Sequence, residues 1–267
     1  MNDVIIVSGG TIQKDFALTF LKKRIKPDTC IIAADRGLEF LAETEYVPDV
    51  VVGDFDSLSE RGSQYLDSLK NTEILRLKPE KDDSDTQSAA NYAMDRGAKK
   101  ITVLGATGNR IDHLLANFGL LVMAKNKGTS MDLVDQYNYI RLIESGTVLQ
   151  RETQFGKYVS FFSIGGDVTG LTLKGFKYPL NGHHLTPSDS GLTVSNEIAD
   201  TEAEVTFDGG TLLMFMTRDG STRVYAYYMY DIRHLKKICV YLYCELHTNV
   251  LTTTTNGSKI ILFFNSS

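Results

Sequence analysis

Carboxylates follow several of the short apolar runs in this chain. Val50-Val51-Val52-Gly53 gives way to Asp54-Phe55-Asp56-Ser57, and two acids two places apart on an extended chain project to one side, within reach of a single cation. Ile31-Ile32-Ala33-Ala34 ends at Asp35-Arg36-Gly37. A third station, Asp82-Asp83-Ser84-Asp85-Thr86, follows Pro79, and a fourth, Gly108-Asn109-Arg110-Ile111-Asp112-His113, follows the run Lys100 to Leu104. Oxygen-rich ligand sets suit Mg2+, which keeps part of its water and bridges protein carboxylates to substrate phosphates. Arg110 adds a planar fork of donors matched to phosphate. Each station also has a plain structural reading. Asp54 and Asp56 can form an acidic turn, Asp82, Asp83 or Ser84 can cap a helix, Arg110 can pair with a neighbouring acid, and His113 can pack at a helix start. Like charges crowded together repel unless they are exposed, capped or bound to a cation, so the repetition of the pattern favours the metal and phosphate reading.

These groups need a scaffold that brings strand ends together. Val4 to Val7 reads as a first strand running into Ser8-Gly9-Gly10, where small residues permit a sharp turn and close approach of a ligand. The lysine and hydroxyl residue of a Walker loop are missing there. Helical stripes follow each strand signal: Phe16, Leu18, Phe20 and Leu21, then Leu38 and Leu41, then Leu66 and Leu69. Ala89, Ala90 and Ala93 mark another helix, and Leu114, Leu115, Phe118 and Leu121 a last one. The alternation predicts an α/β fold, with an N-terminal parallel-sheet α/β domain over residues 1–135 and its ligands beyond the carboxyl ends of the strands.

After Asp135 the texture changes to short β signals separated by glycine-containing turns. Tyr139 to Ile143, Gly146 to Leu149, Tyr158 to Ile164, Leu171 to Leu173, Leu192 to Val194, Ala203 to Phe207 and Leu212 to Met216 predict a small C-terminal β-sandwich over 136–218. Gly182-His183-His184 is expected in a loop, with no third partner at metal-site spacing. Residues 219–267, rich in tyrosine and threonine, form an atypical extension.

A chain of 267 residues is long enough for two modest domains, and its formal charge of -5 argues against a large nucleic-acid surface. The three cysteines, an odd number, point away from a disulfide framework and towards a reducing cytoplasm. The apolar run near Met1 has no basic segment before it and reads as a strand and not a signal peptide; no run reaches transmembrane length.

Taken in order, Asp35-Arg36-Gly37, Gly53-Asp54-Phe55-Asp56-Ser57, Lys81-Asp82-Asp83-Ser84-Asp85-Thr86 and Gly108-Asn109-Arg110-Ile111-Asp112-His113 resemble the motifs of the thiamine pyrophosphokinase (thiamine diphosphokinase) family, and Ser195-Asn196 resembles its thiamine-side motif. The resemblance runs from residue 1 to about residue 218. It implies a homodimer that binds Mg-ATP in the α/β domain and thiamine near the subunit boundary, and that transfers pyrophosphate from ATP to the thiamine hydroxyl, giving thiamine diphosphate and AMP. It implies Asp54, Asp56, Asp82 and Asp85 around Mg2+, and Asp35, Asp82, Arg110, Asp112 and His113 around the nucleotide. Ser195 and Asn196 fall near thiamine, and Asp54, Asp56, Asp85, Arg110 and Asp112 carry the chemistry. Asp56, Asp85 or Asp112 is left open as the base. The chain has no tryptophan, so another aromatic or apolar side chain has to face the thiamine ring. A metal-dependent phosphohydrolase could use the same aspartates, and a noncatalytic nucleotide-binding protein the same domain; neither would form AMP together with a thiamine product.

Overall fold

The structure, a computed structural model, describes residues 1–78, 83–189, 191–220, 224–231, 236–243, 250–255 and 258–263, the last four as backbone. It divides into two units, 1–218 and 219–267.

The first unit begins with β1 (Asp3–Val7), α1 (Lys14–Arg24), β2 (Thr29–Ala34), α2 (Gly37–Leu41), β3 (Val50–Gly53), α3 (Glu60–Ser68), β4 (Glu73–Arg76), α4 (Asp85–Asp95), β5 (Lys100–Leu104), α5 (Ile111–Asn126) and β6 (Ser130–Val134). It continues with β7 (Asn138–Ile143), β8 (Thr147–Gln150), β9 (Tyr158–Ser163), β10 (Val168–Lys174), β11 (Leu180–Leu185), β12 (Glu202–Thr206) and β13 (Leu212–Thr217). Among the described residues a nine-stranded sheet runs in the order β4-β3-β2-β1-β5-β6-β7-β13-β9, and a four-stranded sheet in the order β11-β10-β12-β8. Strands β4 to β6 pair in parallel, and β7, β13 and β9 join antiparallel.

Continuous β-branched runs form strands because both faces of the parallel region are covered. Val4, Ile5, Ile6 and Val7 are all fully buried, which is worth roughly 1.5–3 kcal/mol for each side chain. Even-numbered residues of β1 meet α4 and α5, whereas Ile5 and Val7 meet α1, α2 and α3 on the opposite face. Strand β13 is shared in the same way. Leu213 and Phe215 pack towards the core under α4 and α5, while Leu212, Met214 and Met216 face Leu171, Leu173 and Val205 of the four-stranded sheet. That second core, with Phe161 and Phe176 in an edge-to-face pair at 5.7 Å, makes the predicted α/β class with a small β-sandwich the architecture of the unit.

Three local features differ from expectation. Leu192 to Val194 is a turn and not a strand, held to the edge of β9 by single bonds such as Phe161 N–H to the Thr193 carbonyl at 3.0 Å. His183 and His184 lie within β11 and not in a loop, because Gly182 at φ 63° absorbs the register shift against β10. Strand β6 is missing from the sequence expectation because a central aspartate disguises it. Asp132 is 1% exposed, accepts a hydrogen bond from the Tyr139 hydroxyl at 2.7 Å, and has Lys100 and Arg141 at 3.6 and 3.5 Å.

The second unit contains β14 (Val224–Asp231) antiparallel to β15 (Lys236–Tyr243), and β16 (Val250–Thr255) antiparallel to β17 (Ser258–Phe263).

At the start of β1, Asp3 takes a two-pronged ion pair from Arg24 of α1. Burial pushes its carboxyl up, but the Arg24 hydrogen bonds and charge, with Thr29 and Lys100, leave it below the usual aspartate range. A depressed folded-state pKa contributes stability that is present above the unfolded value and lost as pH falls through the folded one. Asp3→Asn is therefore expected to melt below the wild type at pH 7, with the gap closing in melts recorded towards pH 3; a constant gap would refute the linkage.

Candidate active site

The strand order changes direction between β1 and β5: the chain steps outward from β1 to β4, then returns to the other side of β1. The carboxyl ends of β1 and β5 therefore splay apart into a crevice, the place where open α/β sheets bind ligands. Two glycine turns meet there. Gly10 N–H donates to the Gly105 carbonyl at 3.0 Å, and a Cβ on Gly10 would stand 2.2 Å from that oxygen. Gly105 sits at φ 72°, and a Cβ there would stand 2.3 Å from the Ser8 carbonyl. Gly105→Ala is expected to lose about 1–2 kcal/mol from left-handed strain alone; urea melts superimposable on the wild type would show that the turn relaxes. Beside these turns opens a cleft of about 620 Å³ whose walls include Asp35, Asp85, Thr86, Arg110, His113 and Asn117.

Carboxylates reach this region from three element ends. Asp35 follows β2 at φ 48°, a left-handed conformation that aspartate tolerates, and accepts the Ser57 hydroxyl at 2.8 and 3.0 Å. This bond ties the loop after β2 to the loop after β3. In the latter, Phe55 is also left-handed, at φ 67°, and the Asp56 N–H turns back to the Asp54 carboxylate at 3.3 Å. A bulky residue at positive φ is a strained arrangement that persists only where its surroundings hold it, and such positions gather at functional sites. Asp54 hydrogen-bonds Asp56 and repels it, and with burial and the charges of Asp35 and Asp85 this holds the Asp56 carboxyl above its ordinary range. Asp56 thus feels the charge of the other three acids. Asp85 opens α4, whose N-cap Ser84 accepts from Gln87 N–H at 3.2 Å. Asp82 lies outside the described residues.

Among the described residues no three His, Cys, Asp or Glu side chains form a ready-made metal cage. The donors at these strand ends are nonetheless hard oxygens only, the chemistry of Mg2+, which needs one or two protein carboxylates and takes the rest of its shell from water and phosphate. The residues present fit such an ion.

Across the cleft, Arg110 is the N-cap of α5 and forks onto Asp112 at 2.5 and 3.2 Å. Both groups are exposed. The pairing holds the Asp112 carboxyl below the usual aspartate pKa range, with His113 N–H adding a 3.0 Å bond to the same group. His113 and Asn117, one turn apart, both face the cleft. Sequence reasoning passed over Asn117 and the buried Ser8–Thr86 hydroxyl pair, which joins the end of β1 to the first turn of α4. The place of Ser8 directly after a strand was the available signal, and Asn117, inside a helical stripe, offered none.

The structure seats Ser195 and Asn196 in the turn along β9. Ser195 is exposed, at φ 56°, with its N–H on the Ser160 hydroxyl at 2.9 Å. Asn196 is 2% exposed and spends its amide on the backbone: it accepts from Tyr178 and Glu197 N–H at 3.0 and 2.9 Å and donates to the Tyr178 carbonyl at 2.7 Å.

Residues 21–133 match the family model described as thiamin pyrophosphokinase, catalytic domain, and residues 146–212 match that of the thiamin pyrophosphokinase vitamin B1 binding domain. The chain is 32% identical over 192 residues to the thiamine pyrophosphokinase of Bacillus subtilis (strain 168), covering 72% of this chain and 88% of the relative. The crystal structure of a thiamine pyrophosphokinase from Bacillus subtilis superposes with a TM-score of 0.74 at 28% identity, over 82% of this chain and 100% of that one. That of a thiamin pyrophosphokinase from Geobacillus thermodenitrificans gives 0.70 at 30% identity, over 82% and 98%.

Proposed function

The chain belongs to the thiamine pyrophosphokinase family of enzymes, and from that premise we propose that its cleft transfers the pyrophosphoryl group of ATP to the hydroxyl of thiamine, giving thiamine diphosphate and AMP. The observation that carries the reading is the cleft beside the glycine turns, lined by Asp35, Asp85 and Arg110, with the Asp54–Asp56 loop tied to Asp35 through the Ser57 hydroxyl. A triphosphate is itself densely anionic, so an acidic rim can hold it only through a cation. Asp54 and Asp56, with Asp82 and Asp85, would hold Mg2+, which when bound supplies charge neutralisation at the phosphates. The glycine turns after β1 and β5 let the nucleotide approach the backbone, and Arg110 offsets negative charge as it develops on the transferred group. Asp56, Asp85 or Asp112, the last once Arg110 turns to phosphate, is left to take the hydroxyl proton of thiamine.

Ser195 supplies the exposed polar contact for thiamine, with Asn196 fixing its turn. A homodimer belongs to the same reading. Ile111 and Leu115, one turn apart on α5, are 71% and 63% exposed, and the apolar Leu192 and Val194 beside Ser195 are exposed as well. Exposed apolar side chains on α5 and next to Ser195 support a second copy completing the thiamine site. Among the described residues no helix is long and apolar enough to cross a membrane, and Cys30 carries a free thiol, which supports a reducing cytoplasmic setting.

The test is incubation of the full chain with ATP, Mg2+ and thiamine, with products resolved by chromatography and mass spectrometry. AMP and thiamine diphosphate in equal amounts, each dependent on thiamine and metal, are expected. Phosphate released without a thiamine product would replace the reading with a hydrolase.

A further inference from the structure

Asparagine inside a helix is unfavourable, and burying its amide costs more unless every bond is replaced. Asn117 is nevertheless 7% exposed on the inward face of α5, in line with the buried Leu120, Leu121 and Ala124. Its Nδ2 donates to the Ala106 carbonyl at 2.8 Å. Ala106 is itself 4% exposed and lies in the turn that leaves β5, directly after Gly105 at φ 72° and four residues before Arg110. This carbonyl belongs to neither strand nor helix, and a side chain fixed on α5 is what satisfies it. Remove the amide and a buried oxygen is left without a partner, a loss that the turn can escape only by moving. Any such movement carries Gly108 and Arg110 with it.

We propose that Asn117 is a positioning residue for the pyrophosphoryl donor, acting through the Gly105–Arg110 turn to hold the cleft wall and Arg110 in register with the carboxylate rim. The inference rests on the transfer reading above. It assigns Asn117 to the nucleotide side of the reaction and not to thiamine.

The experiment is steady-state kinetics on the full chain for Asn117→Leu, Arg110→Ala and the double variant, varying ATP and thiamine separately, with melts on each. Asn117→Leu keeps the branched skeleton and removes the donor; kcat/KM for ATP is expected to fall about tenfold while the KM for thiamine stays within about twofold. Because Asn117 acts through the turn that carries Arg110, the same substitution is expected to cost less than about threefold in the Arg110→Ala background. Asn117→Asp covers the case in which leucine does not fold. It should show the same loss at pH 8, shrinking towards pH 6 as the carboxyl regains a proton to donate. A loss that multiplies fully with Arg110→Ala, an equal effect on both substrates, or wild-type kinetics in folded variants would overturn the assignment. Absence of AMP and thiamine diphosphate in the wild-type control would instead sink the transfer reading itself.

Discussion

Asp56→Asn is expected to lower turnover about a hundredfold while leaving the melting temperature unchanged or slightly raised. The two effects have opposite signs for one reason. Without ligand, Asp56 is an exposed carboxylate set against Asp54, with Asp35 and Asp85 adding to the repulsion, so its folded-state pKa is raised and its charge opposes folding at neutral pH. Asparagine has nearly the same shape and removes that repulsion. With nucleotide and Mg2+ present the same charge becomes an attraction, and its removal weakens the hold on the metal and phosphates where charge develops during transfer. Asp54→Asn should behave alike, because asparagine keeps an oxygen that can accept the Asp56 N–H. Kinetics across an Mg2+ titration, paired with melts of the ligand-free protein, make the check. Normal turnover with a normal Mg2+ dependence would refute the assignment, and a collapse in melting temperature would make these acids structural.

The strand-end acids were legible because parallel strands buried on both faces must be apolar throughout, so the first polar residue after each run marks the rim of the sheet. Val50 to Val52 and Ile31 to Ala34 announced their ends in this way. The same rule hid β6, since Asp132 interrupts the run and only the fold supplies Tyr139, Lys100 and Arg141 to neutralise it. The family resemblance treated Ser195 and Asn196 as a pair, yet alternate burial divides them: one is exposed at positive φ, the other is enclosed by bonds to Tyr178. Asn117 was illegible for a related reason. Its amide answers a carbonyl eleven residues away in sequence, and nothing in a helical stripe shows where a turn will leave an oxygen unpaired.

Arg110→Ala is expected to cut kcat/KM for ATP about a hundredfold and to leave thiamine affinity intact. In the structure Arg110 faces Asp112, which at first sight competes with a phosphate role. Exposure decides the matter. An ion pair open to water is weakly held, so Arg110 can exchange Asp112 for a phosphate oxygen at small cost, and the fold loses little when the arginine goes. Its place at the N-cap of α5 adds to the case, because the positive end of the helix dipole already favours an anion there. Lysine at this position would restore charge but not the two-pronged geometry, so Arg110→Lys should recover only part of the loss. Isothermal titration with thiamine and with Mg-ATP, alongside kinetics, separates the outcomes. Loss of thiamine affinity with unchanged use of ATP would move Arg110 to the acceptor side of the cleft, whereas impaired ATP use restored in part by lysine makes it the cation that meets the transferring phosphates.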